Sequence, residues 1–193
     1  MAWAPDYVTA VEMKSYLKIS DTVDDAEIAL AISAASRAVD RATNRQFGLV
    51  AAPEARVYTA RWDKDRCRYV VPIDDLMTVT GLTITGDAAI TDYSLQPSNA
   101  DLTGKPWTSI VLNAGGNCRE DGVTVTAKFG WTAVPVAVKQ ATLLQSTRFF
   151  KRKDAPFGVA GSPDLGSELR LLAKVDPDVA VVLGPYQRWW AAA

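Results

Sequence analysis

The chain has 193 residues, 48% of them hydrophobic and 22% charged, with a formal net charge of −1 and no histidine. This is a globular composition long enough to bury a core, and its charge gives no global attraction to nucleic acid or acidic lipid. The lack of histidine removes Ser–His–Asp and Cys–His nucleophile activation, HExxH zinc sites and the usual general base near neutral pH, so an enzyme is not expected. No run approaches about 18 apolar residues, so no membrane span is expected. MAWAPDY has neither the basic nor the apolar region of a signal peptide, and synthesis in the cytoplasm is the default. Cys67 and Cys118 lie far apart and outside any CxxC pattern. Free thiols in a reducing compartment are the favoured reading, with a single disulfide between two strands as the alternative.

Thr9-Ala-Val-Glu12 is a capping box and predicts a short helix from about Ala10 to Leu17. Ser20 to Asp25 is a polar turn in which Thr22 or Asp24 can cap the next helix. That helix spans about Asp24 to Asn44. Ile28, Ile32, Ala35, Val39 and Ala42 recur at steps of four and three to form its packing seam. Gly48 is a plausible left-handed stop.

After Pro53 the periodicity changes. Arg56–Ala60, Arg68–Val71, Val79–Thr85, Tyr93–Leu95 and Ser109–Leu112 are short β-rich runs. Pro72–Asp75, Gly86-Asp87, Pro97–Asp101 and Asn113–Asn117 read as the turns between them. Gly122 to Trp131 is the clearest strand, with Val123, Val125 and Ala127 on one face. Gly115-Gly116-Asn117 is a turn and no phosphate loop, because no Lys-Ser/Thr follows. The carboxylate pairs Asp24-Asp25, Asp63/Asp65 and Asp74-Asp75 read as caps or turns; none has the spacing of a calcium loop.

Pro135 suits the first turn of a long helix that continues to about Lys153. Leu143, Leu144, Phe149 and Phe150 give it a greasy side, and Arg148, Lys151, Arg152 and Lys153 load its carbonyl end with positive charge. Pro156 to Glu168 is a Gly/Pro/Ser-rich link, and Glu168–Val175 reads as a strand or a short helical turn. Asp176-Pro177-Asp178 opens a last short helix over Val179–Leu183, interrupted by Gly184-Pro185. The fold class expected is therefore α+β. A helical bundle, two N-terminal helices plus a long helix near 135–153, carries an inserted small antiparallel β domain and an extended C-terminal arm ending in a short helix. The segments are 1–50, 51–131, 132–155 and 156–193.

Two constellations are candidates for function. Tyr186, Arg188, Trp189 and Trp190, with Val179 and Leu183 before them, have the composition of an interface hot spot. Partner binding is the favoured reading, and folding back on the chain's own core is the alternative. Arg148, Lys151, Arg152 and Lys153 either complement the helix dipole or attract phosphate without reading sequence. No zinc spacing, RNP aromatics or helix-turn-helix signature accompanies them.

The helix order, followed by Gly130-Trp131, Val134-Pro135, Val138-Lys139-Gln140-Ala141, Phe149-Phe150-Lys151-Arg152 and Asp154 to Gly161, resembles the gp6-like head–tail connector (adaptor) proteins of long-tailed bacteriophages. Asp176–Val179 and Pro185-Tyr186 look like that family's tail, and the β middle resembles larger versions from phages of actinobacteria. The resemblance implies a structural virion neck protein without cofactor or metal, made in the host cytoplasm and placed between capsid and tail. It implies a homo-oligomeric ring, twelvefold in the virion, beneath the portal protein and against another neck or tail-completion protein. Genomic DNA would pass through the lumen. On that reading Val179, Leu183, Tyr186, Arg188, Trp189 and Trp190 bind the portal, while Arg148, Lys151, Arg152 and Lys153 face the channel. Ile28, Ile32, Ala35, Val39, Leu143, Leu144, Phe149 and Phe150 pack the bundle and ring. A stand-alone, non-sequence-specific DNA-binding protein using the basic helix end is the alternative.

Overall fold

The structure, a computed structural model, describes residues 4–113, 120–153, 159–160, 169–170 and 176–188. It is mixed α+β, with four helices, a three- and a four-stranded antiparallel sheet and a two-stranded ladder. The chain divides into two compact units, Met1–Gln46 with Val134–Ala193, and Phe47–Ala133.

In the helical unit, α1 (Ala10–Leu17) starts at the predicted capping box: Thr9 Oγ1 accepts from the Glu12 N–H at 3.2 Å, and Glu12 Oε2 accepts from the Thr9 N–H at 2.7 Å. Helix α2 (Asp25–Thr43) buries Ile28, Ile32, Ala35 and Val39 of the predicted seam, together with Ala31, Ser36 and Thr43, while Ala42 is only half-buried. Asp24 stands at its N-cap without a side-chain cap bond, because its carboxylate meets Lys153 Nζ at 2.5 Å instead. The left-handed stop is Asn44, at φ 52° and ψ 36°, four residues before the expected Gly48. Asparagine tolerates that conformation, and its Nδ2 donates to the Arg188 carbonyl at 3.2 Å.

Helix α3 (Val136–Lys151) begins one residue after Pro135, whose ψ of 143° makes it the N-cap. Its buried face differs from the expected one. Val138, Ala141, Thr142 and Ser146 are buried, whereas Leu143, Leu144, Phe149 and Phe150 are half-buried. The hydroxyls are satisfied locally, Thr142 Oγ1 donating to the Val138 carbonyl at 2.8 Å and Ser146 Oγ to the Thr142 carbonyl at 2.7 Å. Small side chains and back-bonded hydroxyls allow a close approach to α2, so the bulky residues move to the flanks. There Leu143, Phe149 and Phe150 pack against the cluster of Val8, Met13, Ile28, Ala31 and Ile32.

Helix α4 (Pro177–Leu183) has the predicted Asp176 cap, accepting from the Asp178 N–H at 2.9 Å, and is followed by a 3₁₀ turn over Gly184–Tyr186. Between α3 and α4, β8 (Val159–Ala160) pairs antiparallel with β9 (Leu169–Arg170), which settles part of Glu168–Val175 as strand.

In the β unit, β1 (Glu54–Tyr58), β7 (Val123–Ala127) and β4 (Thr83–Thr85) form one sheet in the order β1-β7-β4. β2 (Arg61–Asp63), β3 (Arg68–Leu76), β6 (Trp107–Leu112) and β5 (Tyr93–Gln96) form the other in the order β2-β3-β6-β5. Val123, Val125 and Ala127 face the core as their alternation predicts. Three expectations are corrected. β2 was not anticipated, because Arg61-Trp62-Asp63 is too short and charged to read as a strand. Val79 to Leu82 is turn, so only Thr83–Thr85 pairs. Pro72–Asp75 is no turn, since β3 runs through it with a register shift between Pro72 and Leu76 that spares the proline a full ladder.

Candidate functional site

The described C-terminal segment lies against its own helical unit. Val179 and Leu183 are buried to 3% and 2% exposure, so α4 adds to the helical core. Asp176 Oδ2 meets Arg148 Nη1 at 3.1 Å. The Arg188 N–H donates to the Thr43 carbonyl at 2.8 Å, which ties the chain beyond the 3₁₀ turn to the end of α2. Tyr186 is half-buried, and Trp189 and Trp190 lie outside the described residues. Val179 and Leu183 are thus not displayed to a partner while α4 is docked. The folding-back reading accounts for them.

The basic end of α3 is divided by its partners. Arg148 is engaged with Asp176, and Lys153 with Asp24 while also lying 4.4 Å from the Phe150 ring centroid. Lys151 and Arg152 are exposed and, among the described residues, have no ion-pair partner. Beside them an open groove of about 270 Å³ is lined by Glu27, Leu30, Ala31 and Ala34 of α2 and by Phe149, Phe150 and Lys153. Leu30 is 73% exposed there, an outward apolar side chain on the rim of the groove.

The residues before α1 are strapped to α2. The Tyr7 N–H donates to Ser36 Oγ at 3.2 Å, its hydroxyl donates to Asp40, and Arg37 Nη2 donates to the Pro5 carbonyl at 2.6 Å. Burial pushes the Asp40 carboxyl above its ordinary range, against the opposing pull of Tyr7 and Arg37. At the other end of the strap, the Thr9 backbone N–H and hydroxyl hold Glu12 below its ordinary value.

The β unit holds a polar cluster that reading Asp74-Asp75 as a turn missed. Asp74 Oδ2 accepts from Arg56 Nη1 at 2.8 Å and from the Tyr58 hydroxyl at 2.9 Å. The Arg56 guanidinium stacks 4.3 Å from the Phe129 centroid. Burial, then the neighbouring Asp74 carboxylate, raises the Tyr58 hydroxyl well above its ordinary pKa. Asp75 is 6% exposed and accepts from Trp131 Nε1 at 2.8 Å. The available signal was their position: two carboxylates within a β-rich run, with aromatics and an arginine in neighbouring runs. Asp63 does serve a turn, accepting from the N–H groups of Asp65 and Arg66. Cys67 is a free, exposed thiol, and Cys118 lies outside the described residues.

Among the described residues no cluster of His, Cys, Asp and Glu is placed to hold a metal ion, and no helix is long and apolar enough to cross a membrane. A family model described as head completion protein matches residues 6–161, and the chain belongs to that family. It is a family of structural phage proteins rather than of enzymes. The chain is accordingly a virion-associated phage protein with a head–tail structural role, working with other head or tail proteins. The resemblance read from the helices and the FFKRKDAPFGVAG stretch is borne out at that level. No curated protein matches the chain.

Proposed function

We propose that the chain is the head-to-tail connector itself: a ring of identical copies, twelvefold in the virion, beneath the portal, extending the DNA channel and joining head to tail. The observation that carries this reading is the head completion match, which spans both the N-terminal helices and the β insertion. Exposed Leu30 and the groove beside Phe149 and Phe150 supply surface for side-by-side packing of helical units. Such a head-to-tail contact closes into a ring when its rotation closes. Tyr186, Arg188, Trp189 and Trp190 anchor the portal in this scheme, and the β unit meets the next neck protein. The contact is mechanical, with no chemical step.

DNA passing through the lumen would meet Lys151 and Arg152, since Arg148 and Lys153 are consumed in ion pairs. That leaves too little unpaired charge for the stand-alone DNA-binding reading, which needs several phosphate contacts for a steep salt dependence.

The test is sedimentation of the protein alone and with the portal ring of the same phage. Co-sedimentation near one subunit per portal subunit is expected, and loss of it is expected in Trp189→Ala/Trp190→Ala. Deleting Asp176 to Ala193 would be a poorer test, because it uncovers the buried face that Val179 and Leu183 fill. No association with an intact portal would overturn the reading.

A further inference from the structure

We propose that copies of the chain join through the β2–β3 hairpin of one and the acidic turn before α2 of the next. The inference deepens the ring reading by naming one contact between copies, and its occupant is a second copy of this chain.

The hairpin has the makeup of an anchor. Its register sets Trp62 opposite Tyr69, with the ring centroids 5.0 Å apart at 69°. Trp62 is nevertheless 49% exposed, on an edge strand of the four-stranded sheet. Around it, residues 61 to 68 carry four cations against two carboxylates. Asp63 is held by the N–H groups of Asp65 and Arg66, and Arg68 Nη1 donates to Asn113 Oδ1 at 2.7 Å. Arg61 and Lys64 are exposed and, among the described residues, have no ion-pair partner. An exposed tryptophan flanked by such cations fits a protein surface of apolar and acidic side chains. Duplex DNA offers it no unstacked base, and the hairpin's own carboxylates oppose phosphate.

The chain itself presents the complementary surface. Residues 21 to 27 hold four carboxylates and no cation. Lys153 neutralises Asp24 and Lys14 neutralises Asp25. Asp21 and Glu27 remain exposed and, among the described residues, without an ion pair. Val23 stands between them in sequence at 84% exposure, and Glu27 and Leu30 both line the groove of α2 and α3. The excess charges of the two surfaces are thus equal and opposite, and each accompanies an exposed apolar side chain. Charge orients the approach, and Trp62 against Val23 and Leu30 supplies apolar burial. Because the two surfaces differ, each copy gives one and receives one, a head-to-tail contact able to close into a ring.

The experiment uses the full chain in two charge-reversed forms, Arg61→Glu/Lys64→Glu and Asp21→Lys/Glu27→Lys. Each is sedimented with the portal ring of the same phage, singly and as an equimolar mixture. All four positions are exposed, so both forms should keep the fold. Either form alone sets like charges against each other, and association between copies is expected to fall at least about tenfold. The mixture restores it, because reversed hairpin then meets reversed turn and native meets native, in rings where the two forms alternate. The four substitutions placed in one chain restore it as well. Full assembly of either form alone, or a mixture no better than its components, overturns the contact and leaves the ring standing. Failure of the unaltered chain to assemble on an intact portal overturns both.

Discussion

Gly130 shows how little freedom some single positions have. Its φ of +110° is one that side chains rarely adopt, and a Cβ there would lie 1.9 Å from the Gly48 carbonyl oxygen. Gly104 has φ +63° but open space around it. Gly104→Ala is therefore expected to cost about 1 kcal/mol of backbone strain, and Gly130→Ala several times that, because main chain itself must move. Urea unfolding of the two variants gives the ranking. Trp131→Phe leaves the buried Asp75 carboxylate short of a donor, and a loss of about 1–3 kcal/mol is expected in the same assay.

Two carboxylates of the helical unit carry opposite pH signatures. Glu12 is lowered on folding, so its stabilising effect is present above the unfolded-state pKa and lost as pH falls through the folded one. Asp40 is raised on folding, so its favourable contribution is complete below the unfolded-state pKa and lost as pH rises through the folded one. Glu12→Gln should flatten the acid side of a stability-against-pH curve, and Asp40→Asn should remove the decline on its rising side. Melting across acidic to neutral pH checks both signs.

At the scale of elements, the helices are held by local chemistry that can be removed one group at a time. Thr9→Ala takes away the α1 capping box and should cost about 1 kcal/mol. Leu183→Ala opens a cavity under α4 and should cost about 2–5 kcal/mol, whereas Arg148→Ala, which removes a partly exposed ion pair, should cost under about 1 kcal/mol. Denaturant titration that ranked Arg148 above Leu183 would show that charge, not burial, docks α4.

The elements also mark how far sequence carried the fold. Helices with written signals were legible: the Thr9 box, the Ile28–Val39 seam and the Asp176-Pro177 start all predict what forms. α3 was legible as a helix but not in its buried face, because Thr142 and Ser146 look polar until their hydroxyls bond back to the preceding turn. Pro72-Ile-Asp-Asp75 hid a strand behind residues that usually break one. The partners that satisfy Asp74 and Asp75, Arg56 and Trp131, are distant in sequence. Of the candidate surfaces, the composition of the tail was readable, but the burial of Val179 and Leu183 was not, since it depends on long-range packing.

For the whole molecule, the charge left unpaired at the end of α3, on Lys151 and Arg152, sets what the DNA-lining reading predicts. If the chain meets DNA only as a lining, Lys151→Glu/Arg152→Glu should leave portal binding intact while the isolated protein shows no measurable duplex affinity at moderate salt. Fluorescence anisotropy with a labelled duplex would detect the contrary.

The β unit also begins and ends at one place. Trp131 N–H donates to the Gly48 carbonyl at 2.9 Å, Val50 N–H to the Phe129 carbonyl at 3.1 Å, and Leu49 bridges Gly130 between them. Its entry and exit are thus stitched into one stem, and everything from Phe47 to Ala133 is a cassette whose two ends are joined by backbone hydrogen bonds and a single bridge. Excising that cassette and closing Gln46 to Val134 with a short glycine bridge should leave a helical protein that still melts cooperatively. The same stem gives evolution a place to enlarge, shrink or replace the β unit without rewriting the helices.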